Sequence, residues 1–241
     1  MIDIHIHLLP GVDDGPETLE ESVEMCRAAL ASGCDALIAT PHQRREWSNQ
    51  DPESLRRLLR RVQEAVGSSP RLYLGAEVRV DSGLLEELEA DEHTGLLGLG
   101  GSRYLLVEFS DASDAAEIEG FVHEVSLMGF RPVVAHPEFV PALASEPGLV
   151  RRLVDRGAMM QVTAMTVTGQ AGRSLQRVVH RLIDAELVHF VASDAHSMEW
   201  RPPGLREAQS AIGERWGQEV ALRLTETNAR AVVASEPVPT N

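Results

Sequence analysis

Residues 132–138 read Pro-Val-Val-Ala-His-Pro-Glu. A short run, apolar almost throughout, ends abruptly at an imidazole. Such runs fit strands buried on both faces, as in parallel sheets. The same pattern recurs outward in both directions. Residues 2–7, 36–40, 72–78, 104–109, 160–163 and 188–193 are the other strand candidates. Helical periodicity fills the intervals over about 19–32, 52–66, 82–89, 115–128, 149–156 and 174–185. Two more helical stretches, around 205–216 and 218–225, close the chain, and Ser82 and Ser174 are candidate caps. Seven strands alternating with helices predict an α/β fold of parallel βα units. No repeat, low-complexity tract or linker divides the chain, so residues 1–241 read as one domain with 235–241 as a frayed tail.

The strand ends carry the chemistry. The first ends in His5-Ile6-His7, and alternate residues on a strand share a face, so both imidazoles can reach one ion. Asp13 and Asp14 follow in the next loop. His42 ends the second strand, Glu77 the third, Glu108 the fourth and His136 the fifth. Asp194 and His196 close the seventh. A carboxylate or imidazole at the end of a buried apolar run is costly without a partner. In a (β/α) barrel all such ends converge on one mouth, whereas an open sheet spreads them along a crevice. The barrel is therefore the expected architecture. The donors His5, His7, Asp14, His42, Glu77, Glu108, His136, Asp194 and His196 exceed what one ion needs. Two or three divalent ions fit better, with Glu77 or Asp194 bridging. A nitrogen and oxygen donor set without thiolate suits Mn, Fe or Zn. Clustered ions suit hydrolysis of phosphate esters by an activated water. His93, His123, His180 and His189 lie away from other donors and read as surface or packing residues.

Composition excludes several rivals. The chain has 37 Asp and Glu against 22 basic residues, a net charge of −15, which disfavours a nucleic-acid partner. Every basic residue is arginine, so Schiff-base chemistry and a P-loop lysine are excluded. Cys26 and Cys34 are the two cysteines; neither begins a C-x5-R phosphate loop, since Ser32 and Thr40 stand where arginine is needed. Two thiols make no disulfide framework, and a reducing, cytoplasmic location is expected. The N-terminus lacks the basic and apolar regions of a signal peptide. No apolar run approaches the ~18 residues of a membrane span.

The ordered motifs MIDIHIH, GVDDGP, ATPH, GAEV, LLVEF, AHPE, SDAHS and RPP, with the later TETNARAVV, resemble the polymerase-and-histidinol-phosphatase superfamily. More closely, the chain is similar to the bacterial capsule-associated manganese-dependent protein-tyrosine phosphatases, over residues 2 to about 204. The resemblance implies a distorted seven-stranded (β/α) barrel and a trinuclear site, with manganese the expected metal. It implies one ion on His5, His7, Glu77 and Asp194, a second on Glu77, Glu108 and His136, and a third on Asp14, His42 and His196. It also implies a substrate, the phosphotyrosine tail of a kinase of exopolysaccharide synthesis, and a phosphate contact at Arg201. Asp194, Arg201 and His42 are the expected catalytic groups, with His42 or a metal-bound water as the proton donor to the leaving tyrosinate. Two positions depart from the family. Phe139 stands where an arginine usually contacts phosphate, and Gln43 where a second histidine is frequent. Arg44 and Arg45 are candidate substitutes. Histidinol-phosphate hydrolysis, nuclease activity, and a metal-containing phosphotyrosine-binding regulator without turnover are the alternative readings.

Overall fold

In the computed structural model, which describes residues 1–44, 46, 47, 51–89 and 96–239, nine strands among the described residues form two parallel sheets. They are β1 (Ile2–Ile6), β2 (Ala36–Ala39), β3 (His42–Gln43), β4 (Arg71–Leu74), β5 (Glu77–Arg79), β6 (Tyr104–Glu108), β7 (Arg131–Ala135), β8 (Met159–Thr163) and β9 (Phe190–Ala192). One sheet has the order β1-β2-β4 and the other β3-β5-β6-β7-β8-β9. A single seven-stranded ring is therefore not what the ladders give. The reason is local. The second and third expected strands each break in two. Thr40-Pro41 interrupts the second, because proline has no N–H for the ladder. Gly75-Ala76 interrupts the third, where a Cβ on Gly75 would meet Ile38 Cγ2 and Leu99 Cα at 3.1 Å. Pairing resumes beyond each break: Gly75 N–H donates to Ala39 O at 2.8 Å and Glu77 N–H to Pro41 O at 3.1 Å. Glu77 thus opens β5 instead of ending a strand. β1 and β9 approach through one parallel bridge, Ile6 to Ala195. Asp194 N–H donates to His5 O and His7 N–H to Ala195 O, both at 2.9 Å.

Helices occupy the expected intervals: Leu19–Ala31, Pro52–Val66, Leu84–Glu89, Ala115–Leu127, Pro147–Asp155, Arg173–Asp184 and Arg206–Trp216. The last expected helix is Gln218–Leu222, which widens into a π turn over Arg223–Thr227 and continues as Asn228–Val233. Thr18 and Glu21 form a capping box at the first helix. Asp51 accepts from the N–H groups of Glu53 and Ser54 at the second. Ser174 lies inside its helix, which Gly172 precedes. Ser82 also does not close its turn; the Asp81 carboxylate accepts from Gly83 N–H.

Strand alternation divides the core. Leu37, Val78, Leu105, Val107, Val134, Met160, Val162 and Val191 pack with helix residues such as Met25, Leu55, Ile118, Leu149 and Leu182. The intervening positions Ile38, Tyr104, Leu106, Val133, Ala135, Phe190 and Ala192 form a second cluster with Ile2, Ile4, Val232 and Val238. Continued by two residues, that second face reaches Glu108 from Leu106 and Asp194 from Ala192. The apolar alternation of the strands therefore delivers polar donors to one end. The C-terminal segment is not frayed where it is described. Val238 is buried, its N–H donates to Tyr104 Oη at 2.8 Å, and the Tyr104 hydroxyl donates to Glu236 O at 2.9 Å. No helix is long and apolar enough to cross a membrane among the described residues.

Candidate active site

The nine donors expected from the strand ends lie together, with the Glu77 carboxylate at their centre. Glu77 is 1% exposed. Its Oε2 lies 3.4 Å from His5 Nε2, 3.3 Å from His7 Nε2 and 3.0 Å from His42 Nδ1, while Oε1 is 2.9 Å from His136 Nε2. Asp194 Oδ1 is 3.4 Å from His5 Nε2. Asp14 Oδ1 is 3.4 Å from His42 Nε2 and 3.3 Å from His196 Nε2. Ligand atoms of three sets lie within 4.8 Å of one another: His7, Asp14, His42 and His196; His5, His7 and Glu77; His42, Glu77 and Glu108. His136 joins the cluster through Glu77, its Nε2 2.9 Å from Glu77 Oε1, while His42 lies near both Glu77 and Glu108.

Backbone geometry aims two of these groups. His136 has φ of 29° and Asp194 of 53°, left-handed values that are costly for side-chain-bearing residues and that collect at functional sites.

Neighbours that the motifs alone did not assign fix the imidazoles. Asp13 Oδ2 lies 2.8 Å from His7 Nδ1 and also accepts from His42 N–H at 3.0 Å. Asp13 only accepts, so His7 Nδ1 is the donor, and Nε2 of neutral His7 carries a lone pair. Gln161 Oε1, 2.8 Å from His5 Nδ1, fixes His5 in the same way. The signal for Gln161 was one polar residue inside an otherwise apolar strand; the Asp13-Asp14 pair left Asp13 without a role. Two lone-pair nitrogens, His5 Nε2 and His7 Nε2, then face each other at 3.2 Å and also face a carboxylate oxygen. Acceptors converging in this way need a cation. The buried His136 Nδ1 also has no hydrogen-bond partner among the described residues. The donor set fits divalent metal ions on these grounds.

Electrostatics point the same way. Burial opposes charge on His7, yet Asp13 and Glu77 hold its pKa well above the usual histidine value. His136 is likewise opposed by burial and raised to about 9 by Glu77. Glu77 is held well below the ordinary carboxylate range by the surrounding histidines, against the effect of its burial. His196 is the exception, with burial pushing it down.

The arginines divide. Arg201 Nη1 donates to Asp194 Oδ2 at 2.5 Å, and its guanidinium lies 4.3 Å from the Trp200 ring centroid. Arg44 is turned onto Asp81 and Glu87, with Nη2 2.7 Å from Asp81 Oδ1, and these carboxylates occupy the cation expected at a phosphate. Arg45 lies outside the described residues, as does His93. Gln43 Oε1 accepts from Leu97 N–H. His189 and His180 bond backbone groups away from the cluster, as packing residues do. Two cavities adjoin the donors. One of about 380 Å³ is lined by Phe139, Met165, Ala171, Leu175 and Trp200, with Arg201 and Asp194. The other, about 310 Å³, adjoins Arg79, Ser110 and Asp111. Both are also lined by Glu108, His136 and Phe139.

The family described as capsular polysaccharide synthesis, CpsB/CapC, matches residues 1–234. The chain is 32% identical over 241 residues to tyrosine-protein phosphatase YwqE of Bacillus subtilis (strain 168), covering 99% of this chain and 93% of that protein. It is 30% identical over 244 residues to tyrosine-protein phosphatase CpsB of Streptococcus pneumoniae, covering 98% and 99%. Among solved structures, one from the work on YwqE from Bacillus subtilis and CpsB from Streptococcus pneumoniae, described as unique metal-dependent tyrosine phosphatases, superposes with a TM-score of 0.92 at 32% identity. The match covers 100% of this chain and 97% of the other.

Proposed function

The chain belongs to the CpsB/CapC family of capsular polysaccharide synthesis, and from that premise we propose that it is a metal-dependent protein-tyrosine phosphatase. The observation that carries the reading is the convergence of buried imidazole and carboxylate lone pairs on Glu77 beside a cavity with an aromatic wall. In this reading His5, His7, Asp14, His42, Glu77, Glu108, His136, Asp194 and His196 hold two or three divalent ions. Manganese is the metal proposed, with Fe or Zn also suited to the donors. Bound ions supply Lewis-acid stabilisation of phosphoryl charge and an activated water.

The chain's own residues do the rest. Asp13 and Gln161 hold His7 and His5 in the tautomer that directs Nε2 inward. Arg201 donates to phosphoryl oxygens, and Asp194 positions its guanidinium. The Phe139, Met165, Leu175 and Trp200 wall receives the tyrosine ring, which suits an aromatic leaving group better than histidinol. We assign His42 the protonation of the departing tyrosinate, whose pKa of about 10 demands limited help. The substrate proposed is the phosphotyrosine tail of a bacterial tyrosine kinase of exopolysaccharide synthesis. A cytoplasmic site of action suits such a substrate and the two free thiols Cys26 and Cys34. We also read the two sheets as one interrupted seven-stranded barrel, with β2 and β3, and β4 and β5, each serving as one broken strand. The Ile6–Ala195 bridge supports that reading.

Phosphate release from a phosphotyrosine peptide by manganese-loaded protein, with a chelator control, tests the function. Chelator-sensitive release, abolished by His5→Ala and Glu108→Ala, is expected. No release by metal-replete protein would transfer the chain to a binding role, and strong preference for histidinol phosphate would replace the substrate.

A further inference from the structure

Arg79 has no role in the chemistry above, yet it stands at the donor cluster. It lies two residues beyond Glu77 on β5 and lines the 310 Å³ cavity that shares Glu108, His136 and Phe139 with the aromatic cavity. Its Nε donates to Glu108 Oε2 at 2.5 Å and its Nη1 to Glu46 Oε1 at 2.6 Å. No described residue accepts from Nη2. Arg201 mirrors this arrangement on the other side, with its guanidinium on Asp194 at 2.5 Å. Each arginine therefore grips one carboxylate of the donor cluster, and each borders one of the two cavities. Their side chains are 27% and 23% exposed, so both guanidinium groups stay open to an incoming anion.

Charge makes this pairing consequential. A phosphate dianion entering the Arg79 cavity meets Glu108 and Asp111, and Arg79 is the arginine among the described residues that line it, beside the His136 imidazole. Phe139, at the rim of both cavities, offers no charge. Once Glu108 shares its charge with a cation, it holds Arg79 less tightly, and the guanidinium donors are released toward the cavity. We propose that Arg79 is a second phosphate-binding residue, acting opposite Arg201 on a phosphoryl group seated between the two cavities. The assignment rests on the phosphomonoester reading of the site. Glu46, more than half exposed, is the easily broken half of the Arg79 clamp.

The test measures binding of inorganic phosphate to manganese-loaded protein by calorimetry, together with the bound-metal content of each variant. Arg79→Gln is expected to weaken phosphate binding by about 10-fold or more at unchanged metal content, as loss of a charge-assisted contact does. Arg79→Lys, which keeps the charge and one donor, is expected to recover part of the affinity. In peptide hydrolysis the Gln variant should raise KM more than it lowers kcat. Unchanged phosphate affinity in metal-replete Arg79→Gln would overturn the proposal. Loss of metal with unchanged phosphate affinity per loaded site would also overturn it, and would assign Arg79 to positioning Glu108. Phosphate binding is read without turnover. Parent protein that binds phosphate through Arg79 but releases none from the peptide would therefore fail the phosphatase reading alone.

Discussion

At the residue scale, the arrangement around His7 shows how a side chain that binds nothing itself sets the chemistry. Burial disfavours a charged Asp13, but its bond to His7 holds the pKa below the ordinary aspartate value. The carboxylate therefore stays an acceptor for the His7 Nδ1 proton, which leaves Nε2 as the ring nitrogen directed at the cluster. Asp13→Asn keeps the shape but can present an amide N–H to the ring. A loss of about 10–100-fold in metal affinity is expected, the usual effect of removing such an orienting partner. Metal titration of the variant reads this directly; parent-like affinity would show that Asp13 serves only the loop. Gln161 acts on His5 in the same manner, but as a neutral group it exerts no pull on a proton.

At the element scale, β6, β7 and β9 carry apolar residues on alternating faces until each reaches a donor, and three of the long helices start at side-chain caps, Thr18, Asp51 and Asp114. The first helix begins at a reciprocal cap: Thr18 Oγ1 accepts from Glu21 N–H and Glu21 Oε2 from Thr18 N–H at 3.0 Å. That start fixes the loop 8–18, which carries Asp13 and Asp14. Thr18→Ala is expected to cost about 1 kcal/mol. The urea midpoint should fall with an unchanged m-value, and a midpoint equal to the parent would mean that the loop holds the helix end unaided. The breaks at Pro41 and Gly75 are also element-scale features, because they let β3 and β5 turn away from β2 and β4 and bring His42 and Glu77 side by side in register.

At the scale of the whole molecule, the end of the strands opposite the donors is closed by the chain's own C-terminal segment. Asn228 Nδ2 donates to His189 O at 2.8 Å, and Val238 seats beside Tyr104. His189 belongs to this closure. Its Nδ1 accepts from Met160 N–H at 3.2 Å, which requires an unprotonated nitrogen. Burial lowers its pKa from 6.5 to about 4. A histidine with a depressed folded-state pKa contributes stability above its unfolded value, and that contribution is lost as pH falls from 6.5 toward 4. His189→Gln keeps an acceptor without the titration. Against the parent, the variant should gain about 2–3 kcal/mol across that interval. Parallel stability curves for the two proteins from pH 7 to pH 4 would exclude His189 as a source of acid sensitivity.

The donor residues themselves were legible in the sequence. Apolar runs that stop at His5, His42, Glu108, His136 and Asp194 report burial and its sudden end, and burial is a local property of composition. Period-2 and period-3.6 patterns placed the elements for the same reason. The sequence did not contain the breaks at Thr40-Pro41 and Gly75-Ala76 as breaks, since a close approach to Leu99 is visible only once the strands are packed. Nor did it assign Arg44 to Asp81 and Glu87, Arg79 to Glu108, or Gln161 to His5. A guanidinium or an amide reaches several ångströms from its backbone, and its partner is chosen by which charges the fold leaves nearest. Sequence alone determined which chemistry could be assembled; the tertiary structure decided which side chains hold it in place, because orientation and pairing are properties of neighbours distant along the chain.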